Sequence, residues 1–513
     1  MRYLLFVVSL FLISLTSCRK DFDTVPSNGQ LSFSKDTVYL DTVFTGVASS
    51  TYRLKVYNKS DKDITIPSIV LGKNENSKYR LMVDGMTGEK GQGKVFRNVE
   101  LLANDSLYVL IEETAGVLDT NASNFLYTDQ ILFDTGANQQ KVDLVTLIQD
   151  AYFLYPKKNQ EYLELNDGDK DSRVYGFELD ENDPLNGNEL HMTNKKPYVI
   201  YGYAGVPATK KLVIDAGARI HFHDQSGIFV KKTATIEVNG QVSKDTKKME
   251  NEVVFEGDRL EPGFSEIAGQ WGVIYLADGS TNNSFNHATI KNGSMGIFVD
   301  RNDGTTTQIK NTQIYNCSDF GLIARKGKVY GENIVINKCG QSSFACILGG
   351  NYEFNSCTFA NFWSNGGRQS PAVYLDNTYK QKDVLYVSNL EKANFVNCII
   401  YGNNNVEVGL KKDDAVAFNF DFSNCLIKFI DQANVFKTAM YDFVKKAETK
   451  QNLVTNGQVT NDPKFVDAAK NNLKITKNSS VIGKGNSSFI IVNDIEGKLR
   501  TLPPDLGAYQ HLE

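Results

Sequence analysis

The sequence lacks an excess of positive charge and, beyond its first residues, any long apolar run. It holds 55 Lys and Arg against 60 Asp and Glu, which gives a formal net charge of −5 over 513 residues. Because a nucleic-acid partner calls for a basic stripe, this balance argues against one. No segment after the N-terminus is apolar for long enough to cross a membrane as a helix, so we expect no transmembrane span there.

The N-terminal segment 1–18 has the pattern of a targeting signal. Arg2 supplies a positive start, and residues 4–15 form an apolar run of about twelve residues, too short for a permanent span. The run ends in LTSC at residues 15–18, which resembles the lipobox of bacterial lipoproteins. The resemblance implies that Cys18 becomes the acylated first residue and anchors the protein in the outer membrane. An ordinary secretory signal that happens to contain cysteine is the alternative.

Residues 271–427 repeat with a period of roughly 24 residues. Short strand patterns end on an apolar anchor at Ile290, Ile314, Ile336, Phe359, Ile400 and Ile427. The step of 41 residues between Phe359 and Ile400 is interpreted as two coils with one degenerate anchor. A second apolar series runs in phase at 273–275, 297–299, 322–324, 346–348 and 373–375. Two ladders that share one period predict a solenoid in which each coil contributes one strand to each ladder.

The residues around each anchor indicate which side of the strand faces inward. Two positions before the anchors stand Ala288, Thr312, Ile334, Cys357, Cys398 and Cys425, which share the anchor's face because strand side chains alternate. Asparagines at the corners, Asn292, Asn316, Asn337 and Asn361, tolerate left-handed backbone and can bond from coil to coil. The pattern predicts a parallel β-helix with a small or apolar lumen. We expect its cysteines to be mostly free and buried, with Cys357 and Cys398 two coils apart and beyond disulfide reach.

With this pattern the chain resembles right-handed parallel β-helix proteins of the pectate-lyase-like type. Further segments carry the resemblance: 212–222, 236–240, 271–274, 462–467, 473–475 and 504–509. It extends over about residues 195–513 and implies the fold. Because this architecture hosts lyases, hydrolases, adhesins and inert scaffolds, it implies no single activity.

The fold class predicted for the whole chain is all-β. Alternating strands over 31–150 predict an antiparallel β-sandwich, which resembles the immunoglobulin-like modules that precede such β-helices. A polar linker is expected over 151–194 and the right-handed parallel β-helix solenoid over 195–430. We expect a helical insertion at 431–460, where apolar residues recur at near-helical spacing, and an end segment of the β-helix at 461–513.

Two segments could bind a metal ion, but in both a simpler interpretation is favoured. The Asp-rich run at 166–171 suggests a calcium loop, but it lacks the full EF-hand spacing, so a solvated linker is preferred. His221 and His223, with Asp224 beside them, could share a metal ion. Exposed polar residues that flank an inward Phe222 explain the same pattern. We therefore expect no cofactor, with Ca²⁺ as the alternative.

The motifs of a polygalacturonase-like hydrolase are missing from the solenoid. Only 419–421 matches the first motif, Asn-x-Asp, and the paired aspartates at 413–414 precede it instead of following it. Gly-His-Gly and Arg-x-Lys are absent from this region. The sequence favours a β-helix without catalytic activity, and a polysaccharide lyase or glycoside hydrolase acting on acidic polysaccharide is the alternative.

The best remaining constellation is Asp300, Arg301 and Asp303 with Arg325 and Lys326. Aligning the two strands stacks Asp300 near Arg325 and Arg301 near Lys326. Two carboxylates and three cations on one edge could bind an acidic sugar or, with calcium, initiate β-elimination. The alternative is coil-to-coil salt bridging on a solvated edge. The sequence thus predicts a membrane-anchored lipoprotein of the cell envelope whose β-helix binds a glycan or another partner.

Overall fold

The computed structural model describes residues 23–45, 48–113, 124–158, 161–165, 173–302 and 304–511. Cys18, Asp303 and the Asp-rich run 166–171 lie outside the described residues. The chain divides into two compact units, with the boundary between Asp150 and Ala151. In the part of the chain that the structure describes, no helix combines the length and apolarity needed to span a membrane.

The N-terminal unit consists of two sheets around one apolar core. The six-stranded sheet contains Val25–Pro26, Thr37–Phe44, Ile64–Leu71, Val95–Leu101, Asn124–Phe133 and Gln140–Gln149. The four-stranded sheet contains Ser32–Phe33, Tyr52–Tyr57, Tyr79–Val83 and Ser106–Glu113. Alternating side chains of both sheets, such as Val109 and Ile131, bury together. The sequence predicted purely antiparallel pairing, but Gln140–Gln149 pairs parallel with Thr37–Phe44, so the larger sheet is mixed.

The second unit is a solenoid built on two long sheets, which are parallel except that Tyr162–Glu164 pairs antiparallel with Arg173–Glu178. Its eleven-strand sheet contains Tyr152–Leu154, Tyr198–Ile200, Arg219–Phe222, Val253–Gly257, Ala288–Lys291, Gln313–Cys317, Val335–Cys339, Thr358–Asn361, Ile399–Gly402, Leu426–Lys428 and Leu453–Thr455. Its seventeen-strand sheet contains Tyr162–Glu164, Arg173–Glu178, His191–Met192, Tyr203–Val206, Lys211–Asp215, Gly227–Val230, Thr235–Asn239, Ile274–Leu276, Ser284–Asn286, Ile297–Asp300, Thr307–Lys310, Leu322–Glu332, Phe344–Asn355, Val373–Asp376, Leu390–Val396, Val408–Lys411 and Asp421–Ser423. Successive coils pair in parallel, which confirms the parallel β-helix.

The predicted lumen is confirmed, and a third ladder adds to it. Every anchor, and every residue two positions before an anchor except Thr312, belongs to one continuous apolar core. Thr312 is also fully buried, but it is polar. The seventeen-strand sheet carries two strand columns, because Leu322–Glu332 and Phe344–Asn355 pair along both of them. Each coil in this region therefore contributes three strands, where the sequence pattern showed two.

The step of 41 residues is one coil and not two. Thr358–Asn361 pairs directly with Ile399–Gly402, and Phe359 lies beside Ile400. Within this coil, the strands Thr378–Gln381 and Val384–Val387 form an antiparallel hairpin outside the two long sheets. An insertion lengthens the coil, so the prediction of a degenerate anchor is wrong.

The corrected coil count changes the expected positions of the thiols. Cys357, Cys398 and Cys425 lie on three adjacent coils, since the residues that follow them pair in turn. All six described cysteines are free and buried, as predicted. Burial raises the pKa of Cys398 and Cys425, so both remain thiols and are poor nucleophiles.

Segments predicted as linker and helix take part in the solenoid. Tyr152–Leu154 and Arg173–Glu178 already pair into the long sheets, so the first coils begin within the expected polar linker 151–194. In the expected helical insertion 431–460, the only α-helix among the described residues is Asp442–Lys445, and Leu453–Thr455 is a coil strand. The remaining helices are short 3₁₀ turns: Asn74–Asn76, Glu89–Gly91, Gly136–Asn138, Pro262–Phe264, Ala439–Tyr441, Ala447–Lys450, Ala468–Lys470 and Ser487–Phe489.

The C-terminal segment 461–513 covers the outer face of the eleven-strand sheet. Its two-stranded pair, Phe465–Asp467 and Asn472–Ile475, lies outside the long sheets. Tyr509 and Leu473 bury against the outward residues Tyr315 and Val335 of the solenoid. This face of the β-helix is therefore an internal packing surface over those coils.

The predicted asparagine corners are confirmed for two of the four residues. Asn292 and Asn316 have φ of 67° and 56°, and the Asn316 amide donates to Asn292 Oδ1 at 3.2 Å. Asn337 and Asn361 do not have the left-handed backbone, but both bond from coil to coil as predicted. Asn337 Oδ1 accepts from the Phe362 N–H and Asn361 Oδ1 accepts from the Cys339 N–H, both at 3.0 Å. Asn337 also donates to the Ala468 carbonyl of the C-terminal segment at 3.0 Å.

Candidate functional site

A strip of outward side chains crosses five coils of the seventeen-strand sheet. Asp300 lies beside Arg325, Arg325 beside Ile347, and Asp376 beside Lys411. At about 4.8 Å per coil, the strip extends for about 19 Å from Asp300 to Lys411. We call Asp300, Arg325, Ile347, Asp376 and Lys411, together with the aromatic residues beside them, the Arg325 strip.

Asp300 and Arg325 form a two-pronged ion pair, as the alignment of their strands predicted. Arg325 Nε donates to Asp300 Oδ1 at 2.8 Å and Nη2 donates to Oδ2 at 2.5 Å, and the Tyr275 hydroxyl donates to Oδ2 at 2.8 Å. Asp300 is only 1% exposed, so it does not lie on a solvated edge. Removal of the Asp300 carboxylate should lower the free energy of unfolding by about 2–3 kcal/mol, which is more than a surface ion pair contributes.

The ion pair fixes the charge of both partners. Burial alone raises the pKa of Asp300, but the hydrogen bonds and charge of Arg325, with help from Tyr275 and Arg301, hold that pKa below its ordinary value. The hydrogen bonds to Asp300 raise the pKa of Arg325. Asp300 is therefore an anion and Arg325 a cation at neutral pH.

The other residues of the sequence-predicted constellation separate. Arg301 is 41% exposed at its side chain and pairs with Asp278 and Asp300 at 3.4 and 3.2 Å. Lys326 is exposed, and the ladder between the two strands ends at Asp300 and Arg325, so Lys326 does not stack on Arg301 through it. Asp303 lies outside the described residues.

Two aromatic rings lie near the cation. Phe298 stacks on Tyr275 with ring centroids 4.9 Å apart, and the Arg325 guanidinium lies 5.6 Å from the Phe298 centroid. The guanidinium lies 5.3 Å from the centroid of the Tyr379 ring. Tyr379 belongs to the inserted hairpin, so the insertion in the 41-residue coil brings a third ring to the strip.

A second ion pair extends the strip toward the later coils. Lys411 Nζ donates to Asp376 Oδ2 at 2.9 Å and to the Thr378 hydroxyl at 2.8 Å. The Tyr374 hydroxyl also donates to Asp376 Oδ2, at 3.1 Å. Sequence reasoning missed this pair, although Asp376 directly follows the apolar strand at 373–375.

The two ion pairs place their charges at different depths. The side chains of Asp300 and Asp376 are 2% and 6% exposed, whereas those of Arg325 and Lys411 are 19% and 56% exposed. The carboxylates thus lie beneath the cations. Arg325 and Lys411 are therefore the more exposed members of the two ion pairs, and Arg325 lies beside aromatic rings.

The histidine pair of the sequence analysis does not form a joint site. His221 is buried, beside Glu256 at 3.7 Å, and burial lowers its pKa. His223 is half exposed and pairs with Asp258 at 2.8 Å. The expectation that both are exposed is wrong for His221. Within the described residues, no group of three or more His, Cys, Asp or Glu is arranged to hold a metal ion.

A buried ion pair that sequence reasoning missed lies in the same coils. Arg368 Nη1 and Nη2 donate to Glu407 Oε2 and Oε1 at 2.9 and 2.6 Å. The N–H groups of Ala372 and Asn404 also donate to this carboxylate, both at 2.8 Å. Both side chains are almost completely buried, so this pair is structural. Its partners are 39 residues apart, and no motif marked them.

Comparisons with known proteins give 20 matching chains among solved structures, and the three described here are remote. No family model matches the chain, and no curated protein is similar to it in sequence. Pectate lyase Pel9A matches at 12% identity and a TM-score of 0.27, over 71% of this chain and 88% of that chain. The catalytic unit of a GH87 alpha-1,3-glucanase from Streptomyces thermodiastaticus matches at 8% identity and a TM-score of 0.25, over 74% and 75%.

A family 123 glycoside hydrolase from Clostridium perfringens matches at 9% identity and a TM-score of 0.17. That match covers 25% of this chain and 30% of the hydrolase. At such TM-scores the matches say nothing about the chemistry of this chain. Its parallel β-helix is established by its own strand pairings.

Proposed function

We propose that the chain is a cell-envelope lipoprotein whose β-helix binds an acidic polysaccharide through the Arg325 strip without cleaving it. The observation that carries the proposal is the Arg325 guanidinium, which lies near the rings of Phe298 and Tyr379 and pairs with the buried Asp300 carboxylate. Aromatic faces suit the apolar faces of sugar rings, and a guanidinium suits a uronate carboxylate. The strip's length of about 19 Å offers room for several sugar residues.

The protonation states support binding over elimination. A lyase base must take a proton from its substrate, but the ion pair with Asp300 raises the pKa of Arg325 and keeps it protonated. The Asp300 carboxylate has both oxygens engaged by Arg325, which leaves it poorly placed to act as a base or to hold calcium. The strip therefore offers fixed charge instead of a proton acceptor.

The binding proposal predicts that loss of an aromatic ring weakens the complex. Phe298→Ala and Tyr379→Ala should each weaken binding of polygalacturonate about tenfold, which corresponds to ~1.4 kcal/mol. The dissociation constants can be measured by affinity electrophoresis of the wild type and both variants. Added salt should weaken the wild-type complex, since the contact includes exposed cations.

A matched variant tests whether the loss of affinity is specific to aromatic rings at the Arg325 strip. Tyr39 is an exposed aromatic residue in the N-terminal unit, so Tyr39→Ala should leave the affinity unchanged. Equal losses in all three variants would contradict a site at the strip. Release of unsaturated oligosaccharide by the wild type, seen as rising absorbance, would overturn the non-catalytic proposal and favour a polysaccharide lyase.

The anchoring part of the proposal rests on LTSC at residues 15–18. Acyl chains contribute ~0.8 kcal/mol for each buried methylene, so several chains on Cys18 would hold the protein firmly in the outer membrane. The N-terminal unit, which we propose to be immunoglobulin-like, would then act as a stalk that carries the β-helix.

Cys18→Ala tests this anchor. The variant should lose metabolic labelling with palmitate and should remain unprocessed or be released from the envelope. Cys317→Ala is a suitable control, because Cys317 is a buried thiol that should take up no label. Unchanged labelling of the Cys18 variant would contradict the proposal.

A further inference from the structure

A cavity of about 320 Å³ lies on a different face of the solenoid, away from the Arg325 strip. Its floor is the outer face of the eleven-strand sheet near Gln313. One wall is the insertion 242–252, and the other is the C-terminal segment around Lys474, Glu496 and Tyr509. Two segments that are not required by the coil repeat therefore enclose this space. Its volume is near the lower end of the range of about 300–1,000 Å³ for small-molecule sites.

Glu252 presents a buried carboxyl group to this cavity. It is 9% exposed, and its Oε2 accepts from the Thr289 hydroxyl at 2.8 Å and from Gln313 Nε2 at 3.3 Å. Arg219 donates to the backbone carbonyl of Glu252 at 2.8 Å, but among the described residues no Lys or Arg forms an ion pair with the Glu252 carboxylate and none donates a hydrogen bond to its Oε1. One acceptor atom of a nearly buried residue thus remains available in a cavity that Glu252 lines.

A hydrogen-bond chain fixes the groups around Glu252. The hydroxyls of Tyr315 and Tyr509 both donate to Gln313 Oε1, at 2.5 and 3.2 Å. Gln313 must therefore turn its Nε2 toward Glu252 and Thr289. This arrangement holds the floor of the cavity rigid, because each amide atom of Gln313 already has its partners.

The charges that line the cavity have both signs. Lys474 and Lys498 hold the Glu496 carboxylate at 2.5 and 2.8 Å. Lys470 pairs with Asp467 at 3.2 Å, and Lys247 also lines the cavity. A ligand carboxylate would lie near Glu252 and a ligand cation near these lysines, whereas hydroxyl groups can bond to carboxyl, amide and ammonium groups alike.

We propose that this cavity is a second binding site, which takes one neutral, hydroxyl-rich sugar residue, with Glu252 Oε1 accepting a hydrogen bond from a sugar hydroxyl. The available acceptor, the charges of both signs around the cavity and the volume of the cavity support this ligand class. His287 and Asn311 at the rim add further groups that can bond to hydroxyls. Burial raises the pKa of Glu252, as expected for a carboxyl group surrounded by neutral donors. This site goes beyond the proposed function, since it does not involve the Arg325 strip.

Calorimetric titration of the full chain with single sugars tests the proposal. The probes are D-glucose, D-galactose, D-mannose and D-xylose, with D-galacturonate as a charged comparator, and all are titrated into the Phe298→Ala, Tyr379→Ala double variant so that uronate binding at the Arg325 strip is weakened. At least one neutral sugar should bind with a Kd on the order of 1–10 mM, and D-galacturonate should bind more weakly. Binding by none of the four, or tighter binding of the uronate, would overturn the proposal.

Two variants locate the site. Glu252→Gln keeps the shape of the side chain but removes its charge, and it should weaken sugar binding at least fivefold. Lys474→Met removes a cavity-lining cation that is 39% exposed and should also weaken binding. Glu353→Gln changes an exposed glutamate outside the cavity lining and should have no effect. Unchanged affinity in Glu252→Gln, with an unchanged melting temperature, would assign the sugar to another place and overturn the inference.

Discussion

Arg368→Met should lower the free energy of unfolding of the solenoid by about 3–5 kcal/mol, because it leaves the Glu407 carboxylate buried without its counter-charge. Four hydrogen bonds now satisfy that carboxylate, and Arg368 supplies two of them. Urea titration followed by tryptophan fluorescence measures the loss. The chain has two tryptophans, Trp271 and Trp363, and both lie in the solenoid unit.

The pH dependence of the stability of Arg368→Met distinguishes the cost of an unpaired buried charge from the cost of lost packing. Burial already raises the pKa of Glu407 above its ordinary value, although Arg368 opposes this effect. Without Arg368 the pKa should rise further, so the folded variant binds more protons than the unfolded chain between pH 4.5 and the folded pKa. Stability lost at neutral pH should therefore return as the pH falls through that window.

Two controls accompany this experiment. Arg173 pairs with Glu164 at the surface, with side chains 42% and 34% exposed, so Arg173→Met should cost about 1 kcal/mol or less. Adding Glu407→Gln to Arg368→Met should recover part of the loss, because an amide does not carry the buried charge. A loss in Arg368→Met that is no larger than in Arg173→Met would contradict the structural role of the pair.

The repeat and the lumen were predictable because they depend on spacing alone. The anchor column from Ile290 to Ile427 recurs at steps of 22–27 residues apart from one step of 41, and side-chain alternation then assigns the inward positions. The third ladder escaped detection for a physical reason. In Leu322–Glu332 and Phe344–Asn355 the second strand continues into the third without a break, so no loop separates the two patterns.

The 41-residue coil shows where periodicity misleads. A long step can arise from two coils or from one coil with an insertion, and only strand pairing distinguishes them. Thr358–Asn361 pairs with Ile399–Gly402, so the extra residues include the hairpin that carries Tyr379. The same error placed Cys357 and Cys398 two coils apart, although they lie on adjacent coils.

The pairing of Asp300 with Arg325 was predictable from the sequence, but the burial of Asp300 was not. Aligning the strands placed Asp300 against Arg325, and the ladder has that pairing. Burial of Asp300 depends on Tyr275 and on the guanidinium that lies above it, and the alignment contains neither contact. The Glu252 cavity was beyond prediction, since it requires the C-terminal segment to pack on coils far away in sequence.

Ile336→Asp should cost about 5 kcal/mol or more, because it places a carboxyl group in the apolar lumen. Ile336 is fully buried and lies between Ile314 and Phe359 of the neighbouring coils. The change removes apolar volume and buries a polar group that no partner in this column can satisfy. Urea titration with the same fluorescence signal measures the loss, which should be smaller at pH 4 than at pH 8 because the protonated carboxyl is less costly to bury.

Because the C-terminal segment covers some outward residues of the solenoid, the control for this test must be an outward residue that lies elsewhere. Gln313 is outward on its strand but bonds to Glu252 and Tyr509 beneath that segment, so it is not a neutral site. Gln308 is outward on Thr307–Lys310 and only partly buried, so Gln308→Asp should change stability by about 0.5 kcal/mol or less. Ile336→Val should cost about 0.5–1.5 kcal/mol, since it removes one methylene. Similar losses in Gln308→Asp and Ile336→Asp would show that Ile336 does not face a closed apolar lumen.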